Sequence, residues 1–185
     1  MISKLVRTAI LVAGGLALGG CPLATRTAAP PKKPPAPDYE VASTVAAPPA
    51  ARIRSICYSE ADLSIIRARM LQQEMTVVTL QCQTPNGARA FEGIYTNFLN
   101  KFNADLLANA SSLQQLSRRK RFNVDVVVTE FANRMAQRAP VDKEFCSRGL
   151  RALEWALDPK VTSLNQVPPP YDLGPEMNIH PCPKS

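Results

Sequence analysis

The chain has 185 residues, of which 45% are hydrophobic and 20% are charged, and its formal net charge is +7. Once its two ends are set aside, this length corresponds to one small domain with a single hydrophobic core. One histidine and eight glycines leave little material for histidine-dependent catalysis or for a glycine-rich phosphate loop.

The first twenty residues have the three zones of an export signal. Lys4 and Arg7 are followed by an apolar run too short to span a bilayer, and then by Leu-Gly-Gly-Cys ending at Cys21. These four residues resemble the lipobox of bacterial lipoproteins, whose cysteine is acylated and becomes residue one after cleavage. We predict a signal peptide at residues 1–20 and a lipid anchor at Cys21, facing the periplasm and favouring the outer membrane. The alternative is ordinary signal cleavage nearby, which removes Cys21 or leaves it as a free thiol.

Residues 21–51 are rich in proline and alanine and contain few large apolar side chains. Such a segment cannot bury enough surface to offset its ordering entropy, and its prolines favour extended polyproline II. We therefore predict a disordered tether that holds the domain up to about 90 Å from the anchor, at about 3.1 Å per residue.

Residues 52–158 carry the pattern of an all-α domain, which we predict to be an up-down four-helix bundle. Short connections favour antiparallel neighbours in sequence order. The first helix begins at a capping box of Ser59 and Asp62, and the third begins at Asn123. The predicted helices cover residues 59–81, 89–116, 123–138 and 142–158.

The stretch 89–116 is expected to organise the domain. On a 3.6-residue period, one stripe carries four aromatic rings together with aliphatic residues. The stripe consists of Phe91, Ile94, Tyr95, Phe98, Phe102, Leu106, Leu113 and Leu116. Such a stripe requires covering partners, most economically the other helices of the chain.

Two polar side chains fall within these apolar stripes and come to the same level of the bundle. Asp105 lies on the arc of the second helix and Arg67 on that of the first. We predict that they form a partly buried ion pair.

The tail, residues 159–185, reads as an extended proline-rich segment that wraps the bundle and has little core of its own. The only histidine, His180, lies there, with nothing nearby in the sequence to orient it as a general base.

A dense basic run follows the second helix. It consists of Arg118, Arg119, Lys120 and Arg121. Cations are stabilised at the carboxyl end of a helix, so a solvated helix-end cluster is the simplest reading. The alternative is a contact with an acidic surface, such as lipid headgroups or an acidic protein. Nucleic acid is disfavoured because no aromatic residues interleave with these charges.

The remaining cysteines predict two disulfides. Export implies an oxidising compartment, and with Cys21 assigned to lipid, Cys57, Cys82, Cys146 and Cys182 allow three pairings. Cys57 and Cys82 flank more than about 30 Å of helix, too far for a bond. Following the helices up and down places Cys82 with Cys146, which leaves Cys57 for Cys182.

Several short segments together resemble a group of small exported bacterial helical proteins of uncharacterised function. They are residues 71–75, 80–82, 95–98, 101–102, 131–133 and 145–146. The resemblance covers most of the helical domain and neither terminus, and it implies no catalytic or binding residue.

These features predict a membrane-anchored periplasmic lipoprotein that acts as a protein-interaction or assembly module. Its expected partners are the bilayer, through acylated Cys21, and an envelope protein that the sequence does not name. The alternative is a small-molecule or lipid carrier whose pocket is lined by the aromatic stripe. An enzyme built from carboxylates such as Glu74, Asp105 or Glu130 is a third and less favoured class, and we expect no enzyme, cofactor or metal.

Overall fold

The computed structural model describes residues 33–44 and 57–183, and most of these residues are helical. The five α-helices are α1 (Glu60–Gln81), α2 (Glu92–Lys101), α3 (Asn103–Lys120), α4 (Val124–Arg138) and α5 (Phe145–Leu157). Two short strands, β1 (Ala42–Ser43) and β2 (Tyr171–Asp172), and two 3₁₀ helices, η1 (Leu164–Gln166) and η2 (Pro175–Met177), complete the elements. The predicted all-α class is therefore confirmed. None of the described helices combines the length and apolarity needed to cross a bilayer.

The predicted helix starts at Ser59 and Asn123 agree with the structure. The Ser59 hydroxyl accepts from the Asp62 N–H at 3.1 Å, and the Asp62 carboxylate accepts from the Ser59 N–H at 3.3 Å. At α4, Asn123 Oδ1 accepts from two free N–H groups of the first turn. The last helix differs, because it begins at Phe145 and not directly after Asp142.

The predicted helix over residues 89–116 is wrong in its continuity, because Phe102 separates α2 from α3. Phe102 has φ −105° and ψ 16°, outside the helical region, although its N–H still reaches the Phe98 carbonyl at 3.1 Å. The reason is the packing on either side of the break. α2 packs against α5, whereas α3 packs against α1 and α4, and a straight helix would not follow both surfaces.

Lys101 holds the end of α2 in its place against α5. Its ammonium donates to the carbonyls of Ala156 and Asp158, at 2.7 and 2.8 Å. These carbonyls belong to the end of α5, where cations are stabilised by the free backbone acceptors. The break at Phe102 therefore lies directly after a fixed point.

The helix at the centre of the domain is α1. It contacts each of the other four helices and η1. Its buried residues accordingly occur on several faces: Asp62, Leu63, Ile66, Ala68, Met70, Leu71, Glu74, Met75, Val77, Val78 and Thr79. The expectation that residues 89–116 organise the chain is therefore corrected, since α1 is the helix that is surrounded.

The C-terminal segment is part of the core, contrary to the expected tail with little core of its own. Its buried apolar residues are Val161, Leu164, Val167, Tyr171 and Leu173, each at most 3% exposed. Together they extend the same hydrophobic cluster that the helices form. A bundle ended at residue 158 would expose the surface that these side chains cover.

The end of the predicted tether also joins the domain. β1 pairs in parallel with β2, with Ala42 opposite Tyr171, and the Tyr39 hydroxyl donates to the Pro168 carbonyl. Residues 38–44 are therefore docked, and the expectation of a free tether over 21–51 is wrong for them. The rest of that tether and the signal at residues 1–20 lie outside the described residues.

Both predicted disulfides are present in the structure. Cys57 bonds to Cys182 with their Cα atoms 4.6 Å apart, and Cys82 bonds to Cys146 with theirs 5.7 Å apart. Near the second bond, Gly149 of α5 lies so close to α1 that an added Cβ would be 2.4 Å from the Val78 side chain. A glycine is required there because any side chain would separate the two helices.

Removing the Cys82–Cys146 bond, by Cys82→Ala with Cys146→Ala, should lower the free energy of unfolding by about 4 kcal/mol. The bond closes a loop with a sequence separation of 64, whose closure entropy in the unfolded chain has about this magnitude. Denaturant unfolding measures the loss, and non-reducing peptide mapping checks the pairing. A peptide that joins Cys57 to Cys146 would contradict the structure.

Candidate functional site

The predicted basic run lies at the carboxyl end of α3, and half of it is engaged within the domain. Arg119 forms an ion pair with Asp62 at 2.9 Å, and Lys120 lies 3.7 Å from the same carboxylate. Burial alone would raise the pKa of Asp62, but the hydrogen bonds from Ser59 and these two cations hold it below its usual value. Arg119 and Lys120 therefore bind the carboxylate that caps the start of α1.

The other two cations of the run face solvent. Arg118 and Arg121 are both exposed, and Arg121 has the left-handed conformation, with φ 58°, that ends α3. Glycine or asparagine usually occupies such a position. Two guanidinium groups are therefore presented outward at this end of the domain.

The Cys57–Cys182 disulfide lies beside the same end. The Lys120 ammonium donates to the Cys57 carbonyl at 2.8 Å and lies 5.4 Å from the centroid of the Tyr58 ring. Next to the disulfide, the Tyr58 N–H donates to the His180 carbonyl. The structure thus brings together three predicted features: the basic run, one disulfide and the histidine.

His180 lines a cavity of about 300 Å³ together with Arg67 and Asp172, above an apolar floor that includes Leu63 and Met70. No group of three or more His, Cys, Asp or Glu residues within the described ranges could hold a metal ion. The absence of a role for His180 in catalysis stays a prediction.

The sequence analysis names Glu74 among three carboxylates but does not predict that its carboxyl group, in the middle of α1, is fully buried. Its Oε2 accepts the Tyr171 N–H at 3.1 Å, while Oε1 has no partner within the described part of the chain. Burial raises the pKa of Glu74 well above its usual value, against the opposing effects of the Tyr171 N–H and the Arg138 charge. The carboxyl group is therefore strongly biased toward its uncharged form.

Polar groups surround Tyr171 on the outer side of Glu74. The Tyr171 hydroxyl donates to Asp142 at 2.6 Å, and the guanidinium groups of Arg138 and Arg148 lie 5.7 and 5.5 Å from the ring centroid. Arg138 also forms an ion pair with Glu176. This cluster ties α4, the start of α5 and the C-terminal segment together over Glu74.

The position of Glu74 in the sequence does indicate that its side chain is buried. The residue lies three positions after Leu71 and four before Val78, on the apolar side of α1. A carboxylate at such a position needs a partner, but that partner is a backbone N–H in the C-terminal segment, which periodicity does not identify.

The other carboxylates considered for catalysis are not brought together with Glu74. Asp105 lines a surface cavity, Glu130 pairs with Arg134 on α4, and Glu74 lines none of the cavities of 190–380 Å³ in the described part of the chain. These positions show no shared site for a substrate.

The predicted ion pair between Arg67 and Asp105 is wrong. Arg67 is half exposed and reaches Glu60 at 3.5 Å, while Asp105 accepts the Leu164 N–H at 2.7 Å. The C-terminal segment crosses α3 here and supplies a backbone donor. Asp105 therefore has a partner 59 positions away in sequence, which a comparison of two helices does not reveal.

The aromatic rings of the stripe pack against the hydrophobic core. Phe98 and Phe102 are 0% and 2% exposed, and their ring centroids are 5.3 Å apart. Leu113 of the same stripe lines a cavity of about 380 Å³, but none of the four rings does. The carrier alternative thus finds no support in these rings.

No protein-family model, curated protein or solved structure matches this chain. The resemblance to small exported helical proteins therefore stays a prediction.

Glu74→Gln should remove a loss of stability that the natural protein shows as pH rises. Because folding raises the pKa of Glu74, its contribution is complete below the unfolded value near 4.5 and decreases as pH rises toward the folded value. Between pH 5 and pH 8 the natural protein should therefore lose stability relative to the variant, which has no carboxyl group to ionise. Unfolding free energies measured across this range test the difference.

The exposed carboxylate of Glu154 supplies the matched control. Glu154→Gln should leave the pH dependence unchanged. If Glu74→Gln and the natural protein keep a constant difference over the range, Glu74 does not titrate there.

Proposed function

We propose that this chain is an exported lipoprotein, anchored in the cell envelope through Cys21, that acts as a protein-interaction or assembly module. One observation supports acylation at Cys21: the four cysteines of the described residues are bonded to one another in two pairs. Since each cysteine forms one disulfide, Cys21 is the odd cysteine of the five. Its lipobox context supplies a chemical use for the remaining thiol.

The distribution of charge supports attachment to an anionic envelope surface. All 15 acidic residues lie between Asp38 and Glu176. Seven of the 22 basic residues lie outside the described ranges: Lys4, Arg7, Arg26, Lys32, Arg52, Arg54 and Lys184. The described residues are therefore formally neutral. Lys4 and Arg7 leave with the signal peptide of this proposal, so an excess of +5 remains on the other segments of the anchored chain, with Arg26 and Lys32 nearest to Cys21. Basic residues near an acylated cysteine add electrostatic attraction to anionic headgroups.

The docked residues 38–44 shorten the spacer of this proposal. Sixteen residues, 22–37, separate Cys21 from Asp38. At about 3.1 Å each they reach about 50 Å, and not the 90 Å expected from the whole tether. The domain would remain close to its membrane, where a partner would also be held.

The interaction role is supported by a stiff domain with charge presented at one end. Two disulfides hold the fold, and the arginines at 118 and 121 point outward at the end of α3. We retain the up-down helix order as part of the proposal, because the end of α1 and the start of α5 meet at the Cys82–Cys146 bond.

Cys21→Ser should release the protein from membranes into the soluble periplasmic fraction. The natural protein should partition with membranes and carry the added mass of its acyl chains, because acylation supplies the membrane affinity. Fractionation and intact mass spectrometry measure both effects. Recovery of the natural protein as a soluble species cleaved beyond Cys21 would contradict the anchor.

Reversing the charges of the basic end should abolish capture of a protein partner. After cross-linking in native membranes, the intact protein should retain one stoichiometric partner, and Arg118→Glu with Arg121→Glu should lose it by charge repulsion. Lys143→Glu with Lys160→Glu makes the same charge change at exposed positions elsewhere and should retain the partner. Equal retention by both variants would place the interaction elsewhere.

A further inference from the structure

A cavity of about 190 Å³ lies between α1, α3 and η1, with room for about six water molecules. Six of its ten lining residues are polar. They are Ser64 of α1; Asp105, Asn109 and Ser112 of α3; and Ser163 and Asn165 beside and within η1. No lysine, arginine or histidine belongs to this lining. The cavity therefore offers hydrogen-bond acceptors and a single carboxylate.

The carboxylate of Asp105 is bonded to the backbone and can still accept further hydrogen bonds. One oxygen, Oδ2, accepts the Leu164 N–H at 2.7 Å. A carboxylate has acceptor positions for about four hydrogen bonds, so further donors can be received. The backbone bond fixes the group at the cavity wall and leaves its charge uncompensated by any lining cation.

Asn109 adds a second polar side chain to the wall, next to Asp105. The residue is 8% exposed, its Nδ2 donates to the Ile65 carbonyl at 2.8 Å, and its Oδ1 has no partner within residues 33–44 and 57–183. Buried acceptors are nearly always satisfied, and an orphan one requires an explanation. The oxygen itself has less than 1 Å² of exposed surface, so it lies behind the cavity wall.

We propose that this cavity binds a primary ammonium group carried on an unbranched alkyl chain. An ammonium has three donors and a positive charge, which match the Asp105 carboxylate and the hydroxyls of Ser64 and Ser112. A divalent metal is disfavoured because one carboxylate is too few charged ligands to replace its water shell.

The adjoining cavity, of about 330 Å³, accommodates the alkyl chain. It shares Ser64, Ala68, Leu164 and Asn165 with the first cavity, and it adds Val167, Pro168 and Pro169 as apolar wall. Arg67 lines this second cavity and is held only by an exposed pair with Glu60 at 3.5 Å. An alkyl ammonium with a carboxylate at its other end would therefore be favoured over a diamine, whose second charge would face Arg67.

This chemistry has two sources, a lysine side chain of another protein and a free ω-amino acid. The site is independent of the anchor at Cys21 and of the basic run at 118–121. It is therefore tested with the full-length chain whether or not those proposals hold.

Calorimetric titration with 6-aminohexanoate should show binding with a dissociation constant on the order of 1 mM. Hexanoate, which lacks the ammonium, should show none, and 1,6-diaminohexane should bind more weakly. An acetylated peptide with a central lysine, compared with its norleucine counterpart, tests the protein source. Binding of the lysine peptide as well as the amino acid assigns a protein lysine, and binding of the amino acid alone assigns a free ligand.

Asp105→Asn should weaken binding at least about tenfold, because it removes the charge and keeps an oxygen for the Leu164 N–H. Ser112→Leu should abolish binding by filling the cavity while leaving the carboxylate in place. Glu154→Gln, on exposed α5 surface, should bind as the natural chain does, and an unchanged melting temperature checks that the Asp105 variant folds. Equal binding of hexanoate and 6-aminohexanoate, or an unchanged affinity in both cavity variants, would overturn the proposal.

Discussion

The position of α1, enclosed by the other helices and bonded at both ends, is the constraint on which the rest of the structure depends. Cys57 precedes its capping box and is joined to Cys182, and Cys82 ends it and is joined to Cys146. Each bond connects α1 to a part of the chain distant in sequence. The C-terminal segment and α5 are thereby covalently joined to α1. Both disulfides also stabilise the fold because they restrict the unfolded chain.

The enclosure of α1 also explains its buried carboxyl group. Glu74 receives one backbone N–H from Tyr171, and the polar cluster around the Tyr171 ring covers it. A buried carboxyl group with one unsatisfied oxygen lowers stability compared with an apolar side chain. The same bond, however, positions β2, which in turn pairs with β1 and docks residues 38–44. One unfavourable burial therefore helps to fix where residues 38–44 lie against the helices.

The domain thus presents different chemistry on different surfaces. Exposed arginines lie at the end of α3, beside the Cys57–Cys182 bond, and suit an acidic partner. An acceptor-rich cavity lies between α1, α3 and η1 and suits a cation. Because the C-terminal segment forms part of the cavity wall and also closes the core, a change in that segment would affect stability and binding together.

The sequence by itself determined the features that depend on local rules. The capping box at Ser59, the cap at Asn123 and the disulfide pairing follow from residue spacing and helix length, because these quantities are properties of neighbouring residues or of rigid helices. Tertiary structure decided the break at Phe102, the partner of Asp105 and the burial of Glu74. Each of these depends on backbone groups or surfaces of segments distant in sequence. The helical periodicity of one segment does not reveal such contacts.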